Sequence, residues 1–368
     1  MTVVDGGALA REGWALVRQM LGDLTATIEA DAETELELLE GLRMLGRVTA
    51  LASELSLDMD PAAPRLFSMN TPSRFVGGPN PDGEYLLGMI DGRRRYRLHG
   101  RRGTSTYLGI QVLAGVGLTP RRMAAHLSDH DLEVAGDGSF SLVVSVDRPT
   151  AEELGGGQWL EVPEDASALV VREYLADRAT EVPVELHLEA LGPVTPPALP
   201  TDASLGEQLT SLAWTIAKLA TLHRSIKPEL LDRPNELVMA EAAELGGAET
   251  TPDNLYVLGT FRLGPDEAWV IELEPPSTRY WSATVENIWH ECLEPRRRHS
   301  SITNTAARVR DDGTVRLIVS GTDPGVDDWL DTGGRHRGFV IIRWLDRPDP
   351  PTLTTRVVPV AELAGDAG

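Results

Sequence analysis

The 368-residue chain is nearly devoid of lysine and cysteine: Lys218 and Lys227 are its two lysines, and Cys292 is its single cysteine. One cysteine excludes an intrachain disulfide and any cysteine-rich zinc site. No apolar run approaches the roughly 20 residues needed to cross a bilayer. The opening residues, Met1-Thr2-Val3-Val4-Asp5, lack the basic region and apolar core of a secretory signal. Positive charge is in deficit, with 34 Lys and Arg against 56 Asp and Glu and a net charge of −22. A surface that negative repels phosphate backbones and anionic lipid, which argues against nucleic acid or membrane as partner. Missing too are a Gly-x-x-x-x-Gly-Lys-Ser/Thr phosphate loop, a Gly-x-Gly-x-x-Gly turn after a strand, and a Gly-x-Ser-x-Gly nucleophile elbow. The absences together predict an acidic cytoplasmic protein without nucleotide, flavin or other cofactor.

What is present is a repeating texture. Trp14, Leu16, Val17, Met20, Leu21, Leu24 and Ile28 recur at helical spacing, and a second stripe follows Asp31 through Leu36, Leu39, Leu42, Leu45 and Val48. From Pro61 to about residue 190 the pattern changes to short extended runs bounded by Gly, Pro and Asp. The proline-rich stretch 192–200 reads as a linker. Helical pattern resumes over Leu205–Ile226 and again near Leu230–Leu245, and strand texture returns from Leu255 to Val360. This divides the chain into helices (1–58), a first β half (59–191), the linker, helices (201–248) and a second β half (249–368).

The halves are related. Pro81-Asp82-Gly83-Glu84-Tyr85-Leu86-Leu87-Gly88 matches Pro252-Asp253-Asn254-Leu255-Tyr256-Val257-Leu258-Gly259. In the same order, Leu118 to Arg122 matches Leu293 to Arg297, and Asp137 to Ser145 matches Asp312 to Ser320. Trp159-Leu160-Glu161 matches Trp329-Leu330-Asp331, and Arg172-Glu173-Tyr174 matches Arg343-Trp344-Leu345. The offsets are 171, 175, 175, 170 and 171. Chance matches do not keep order at near-constant offset, so the chain reads as an internal duplication. The predicted fold is α+β and mainly β: two antiparallel β-sandwich or jelly-roll halves, each preceded by a helical segment.

The second half resembles a known bacterial family. Trp281 through Glu291, Arg296-Arg297-Arg298, Asp328 through Arg335, and Arg343-Trp344 are similar to the domain-of-unknown-function family DUF1214. Asn80-Pro81-Asp82 through Tyr85, with Tyr96 through Gly100, resembles the segment that often precedes it. The resemblance implies a jelly-roll-like β fold and no known cofactor, and it carries no activity to transfer.

Candidate chemistry comes from where the halves differ. Asn287, Trp289, His290 and Glu291 have no counterpart in the apolar, glycine-rich first half around Leu113–Gly117. A histidine beside a carboxylate at a strand end suits proton transfer, with His290 as acid or base and Glu291 orienting it. Arg296, Arg297 and Arg298 gather positive charge in an acidic chain and can hold a carboxylate, sulfate or phosphate. Arg343 and Arg172 sit in apolar strands, where a charge needs a partner or a ligand. Tyr85 and Tyr256 are expected to bond across a corner, Asp82 and Asp253 to form turns, and Trp159 and Trp329 to be core. His126 and His130 would share a helix face, but without a following Glu no metal is expected. The expectation is an enzyme acting on a small, anionic molecule in the second half or between halves. Its alternatives are a carbohydrate or metabolite binder stacking ligands on Trp281 and Trp289, or a subunit of a homo-oligomer.

Overall fold

The structure, a computed structural model, describes residues 6–115, 121–193, 196–225, 232–240, 250–346 and 349–365. Four of the predicted segments fall wholly or partly outside these residues: the N-terminal five, the repeat motif at 118–120, linker residues 194–195, and parts of the helical stretch 230–245.

In the first half the strands are β1 (Phe67–Ser68), β2 (Gly83–Met89), β3 (Arg95–Arg101), β4 (Tyr107–Ala114), β5 (Arg122–Ser128), β6 (Ser139–Ser145), β7 (Gln158–Glu161), β8 (Ala166–Tyr174) and β9 (Glu185–Leu191). In the second half they are β10 (Val238–Ala240), β11 (Asn254–Arg262), β12 (Glu267–Leu273), β13 (Trp281–Glu286), β14 (Ser301–Thr303), β15 (Val315–Ser320), β16 (Trp329–Asp331), β17 (Arg337–Leu345) and β18 (Leu353–Pro359). The first half stacks the sheet β1-β2-β8-β4-β5 on β7-β6-β3-β9; the second stacks β10-β11-β17-β13-β14 on β16-β15-β12-β18. Adding nine to every strand number converts one topology into the other. The register repeats as well, with Tyr85 opposite Arg172 and Tyr256 opposite Arg343. Pairing is antiparallel except at β6–β7 and β15–β16, which are parallel in both halves. Each sandwich closes over its own core, Leu98, Leu142 and Leu169 in one and Trp269, Leu317 and Trp344 in the other.

The helices do not serve the halves separately. Helices α1 (Ala8–Asp31), α2 (Glu35–Leu57) and α4 (Asp202–Ala220) share one apolar core through Val17, Ile28, Met44, Val48, Leu212 and Ile216. The short α3 (Ala151–Leu154) lies in the first half. Asp202, in the first turn of α4, accepts from Ala10 N at 2.9 Å, and Asp31 at the far end of α1 meets Arg224 at 2.7 Å, so α1 and α4 run parallel. They approach closely because each helix offers a glycine at the crossing: a Cβ on Gly13 would stand 2.8 Å from Leu209 Cβ, and one on Gly206 would stand 2.9 Å from Leu9 Cβ.

Three local readings change. The stretch near Leu230–Leu245, expected to be helical, contains strand β10, which pairs with β11 as β1 pairs with β2. His126 lies on strand β5 and His130 in the turn after it, so they share no helix face. On α2, Leu36, Leu39 and Leu42 are exposed, whereas Glu37 and Glu40 are buried. Arg337 clasps Glu37 with two 2.7 Å bonds and Arg335 holds Glu40, so α2 is tied to the second half by ion pairs.

The halves meet through tyrosines. Tyr107, Tyr174 and Tyr280 pack in series with ring centroids 5.0 and 5.2 Å apart. The contacts are reciprocal: Asn80 Nδ2 donates to Tyr280 Oη at 2.7 Å, while Thr251, at the position equivalent to Asn80, lies 2.6 Å from Tyr174 Oη. Tyr107 donates to Asp253 at 2.8 Å, and its counterpart Tyr280 lies beside Asp82. The two aspartates therefore reach across the junction, and Asn80 makes the local turn by accepting from Asp82 N. Tyr85 and Tyr256 do bond across a corner, accepting from Asn80 N at 2.9 Å and Thr251 N at 3.3 Å. Trp159 and Trp329 are half-buried, each donating its indole N–H to the carbonyl of Ser145 or Ser320.

Candidate functional site

The segment after β13 turns sharply because the Asn287 side chain organises it. Its Oδ1 accepts from the backbone N–H of both Trp289 and Glu291 at 3.0 Å. His290, at the apex, is held in the left-handed region with φ 58°, a conformation that costs a bulky side chain strain. Two glycines clamp it: Gly77 N and Gly78 N both donate to His290 O, at 3.0 and 2.9 Å. Both have positive φ, 90° and 65°, which a side chain would resist.

The imidazole is oriented by Glu286 rather than Glu291. The buried Glu286 carboxylate accepts from His290 Nδ1 at 2.7 Å. That bond commits Nδ1 to the carboxylate and leaves Nε2 as the ring nitrogen that can meet a substrate. Among the described residues Nε2 has no hydrogen-bond partner. Phe339 stacks on the ring at 4.2 Å, and the histidine is 7% exposed. Glu291 points to the other side, where Arg47 of α2 meets it at 2.7 Å and Asn287 Nδ2 at 3.1 Å. His290 stands at the apex of the turn with its φ positive, and Glu291 leaves the turn on the far side, which is why the sequence neighbour is not the spatial partner.

Arg343 lies beneath. Fully buried, it donates to Gly78 O at 2.8 Å and faces Glu286 Oε1 at 3.7 Å. Its counterpart Arg172 bonds Gln111. Trp289 donates its indole N–H to Glu37 O at 2.9 Å and packs into the helical core, and Trp281 is buried in the sandwich. Neither tryptophan presents a face to a ligand. Cys292 is buried too, its thiol 3.3 Å from Pro79 O, and burial pushes its pKa up, the opposite of a nucleophile's need.

Asn287, Trp289, His290, Glu291 and Arg343 are thus brought together around the turn. The arginine run is dispersed: Arg296 pairs loosely with Glu84 at 3.5 Å, Arg298 pairs with Asp331, and Arg297 is exposed. Glu286, Phe339 and Arg47 escaped the sequence reading. The first two had a signal, because Glu286 and Phe339 lie opposite each other just where the first half pairs Leu113 with Ala168.

The family model described as "Protein of unknown function (DUF1214)" matches residues 261–349. The solved structure of an uncharacterised protein from Burkholderia cenocepacia is similar over 97% of this chain and 100% of its own, with 30% identity and a TM-score of 0.90. The chain belongs to the DUF1214 family. The VPA0106 protein of Vibrio parahaemolyticus shares the fold at 12% identity, covering 88% of this chain and 100% of its own, with a TM-score of 0.51. No curated protein matches this DUF1214 chain. No helix among the described residues is long and apolar enough to cross a membrane.

Proposed function

We propose that the chain is an enzyme that moves a proton to or from a small organic anion, with His290 as acid or base. The observation that carries this reading is the Glu286–His290 pair. A carboxylate fixes one ring nitrogen at 2.7 Å while the other has no partner among the described residues, on a backbone held in a strained conformation. Proton-transfer sites are built in this way. Glu286 is the positioning residue, Asn287 and Glu291 hold the turn, and Trp289 anchors it to α2. Arg343 supplies the buried positive charge, with Arg296, Arg297 and Arg298 as an outer surface attracting the anion. The duplication supports the reading, since the equivalent place in the first half is apolar.

A thermal-shift panel of small carboxylates, sulfates and phosphates tests it, because a ligand that binds the native state raises the melting temperature. An anion that stabilises wild type and loses its effect in His290→Ala is the expected result. Stabilisation that is identical in the two proteins overturns the placement of the site at His290.

A second reading, a homo-oligomer joined through the helical layer, rests on Trp14 and Trp214, each 51% exposed, and on the Leu36, Leu39, Leu42 stripe of α2. Exposed apolar area of this kind marks interaction surfaces. Light scattering should then give a mass above 39.9 kDa that falls toward the monomer in Trp14→Ser or Leu39→Ser; a monomeric wild type removes this reading.

A further inference from the structure

Away from the His290 imidazole, one cluster of arginines stands out in this acidic molecule. It lies between α2 and the segments flanking β1. Arg65 and Arg74 both place their guanidinium carbon 5.8 Å from the centre of the Phe67 ring. Arg65 is answered by Glu54 at 3.0 Å, and Arg47 by Glu291 at 2.7 Å. Arg74 is not answered. It donates only to backbone carbonyls, Met69 O at 3.3 Å and Ser68 O at 3.5 Å, and among the described residues no carboxylate lies within ion-pair distance of it. Burial, opposed by Glu54 and reinforced by Arg47, lowers its pKa. Three guanidiniums therefore face two carboxylates at one place on a chain whose net charge is −22. A half-buried cation with a second cation beside it, and acidic residues to spare elsewhere, is an arrangement that an anion completes.

We propose that this arginine cluster binds a small dianion, a phosphate or a dicarboxylate, through forked hydrogen bonds from Arg74 with Arg47 supplying the second charge. The site adjoins the His290 turn through the Arg47–Glu291 pair but lies on the side away from the imidazole. Val76 pairs with Glu291, and the Glu291 carboxylate turns toward Arg47, whereas His290 turns toward Glu286. The proposal therefore does not rest on His290 acting as a catalyst.

Isothermal titration of the full chain with inorganic phosphate, and separately with malonate, at constant ionic strength in chloride tests it. Saturable one-to-one binding of at least one anion is expected, and which of the two binds distinguishes the sources. Arg74→Gln should weaken binding at least tenfold. Arg74→Lys, which keeps the charge and loses the fork, should weaken it about threefold and carries the test if the Gln variant does not fold. Arg93→Gln, at a remote exposed turn, should bind as wild type does. No saturable heat with either anion, or an Arg74→Lys or Arg74→Gln protein that binds with wild-type affinity, overturns the proposal.

Discussion

At the scale of single residues, the site turns on which carboxylate faces His290. Comparing the halves singled out His290 and Asn287, whose counterparts are apolar, and the presence of a charge in an apolar strand singled out Arg343. Neither singled out Glu286, because a residue four positions back becomes the partner only once the Asn287 turn folds the chain on itself. Glu286→Gln should keep the fold and change the pH profile of any His290-dependent activity, whereas Glu291→Gln should leave that profile in place. Asp82 offers a second test at this scale. Burial pushes its pKa up to about 6, with Arg178 and Arg343 pulling the other way. The native state then binds more protons than the unfolded chain between the ordinary carboxylate range and about 6. The stability from protonated Asp82 is therefore full below the unfolded value and is lost as pH rises through about 6. In Asp82→Asn, denaturant melts at pH 5 and pH 7 should differ less than in wild type; an unchanged difference contradicts the assignment.

Among the elements, α2 shows why periodicity located a helix without identifying its buried face. Its start is fixed by Thr34, which caps the helix, and Glu37, which completes the capping box. Its leucine stripe suggested the core, yet Leu39 is 57% exposed while Glu40 is 3% exposed. The reason lies about 300 residues away in Arg335 and Arg337, which no local pattern reveals. Removing one member of a largely buried ion pair leaves the other uncompensated, at about 3 kcal/mol. Glu40→Gln, which takes away the carboxylate that Arg335 pairs with, should therefore destabilise far more than Leu39→Ala, an exposed site expected to change stability by less than about 0.5 kcal/mol. Denaturant midpoints of the two variants check the order. The strand β10 was obscured for a related reason: three residues are too few for an alternation signal, and its existence follows from equivalence with β1.

For the whole molecule, the duplication was the most legible feature, because order and offset survive even where only a handful of residues match. What the offsets could not show is how the copies combine. The sandwiches join through reciprocal tyrosine contacts, and all three long helices merge into one layer, whose α2 meets the second half through Arg335 and Arg337 and the first through Leu55. Tyr107→Phe and Tyr280→Phe, each removing one hydroxyl from this junction, should each cost about 1 kcal/mol. If the copies fold as one unit, tyrosine fluorescence and far-UV circular dichroism should still report a single shared transition. Two separated transitions in wild type would mean that the junction does not couple the halves.

The central claim is that one copy of the repeat became a proton-transfer site at His290. Proton NMR of a small organic acid panel incubated with the protein in deuterium oxide tests it most directly, since it registers both turnover and exchange of a proton for deuterium. Wild type should consume or deuterate at least one acid, and His290→Gln should slow that reaction by about a hundredfold or more, the scale of acid–base catalysis. A panel left untouched by wild type, or a reaction that His290→Gln performs equally well, would contradict the account.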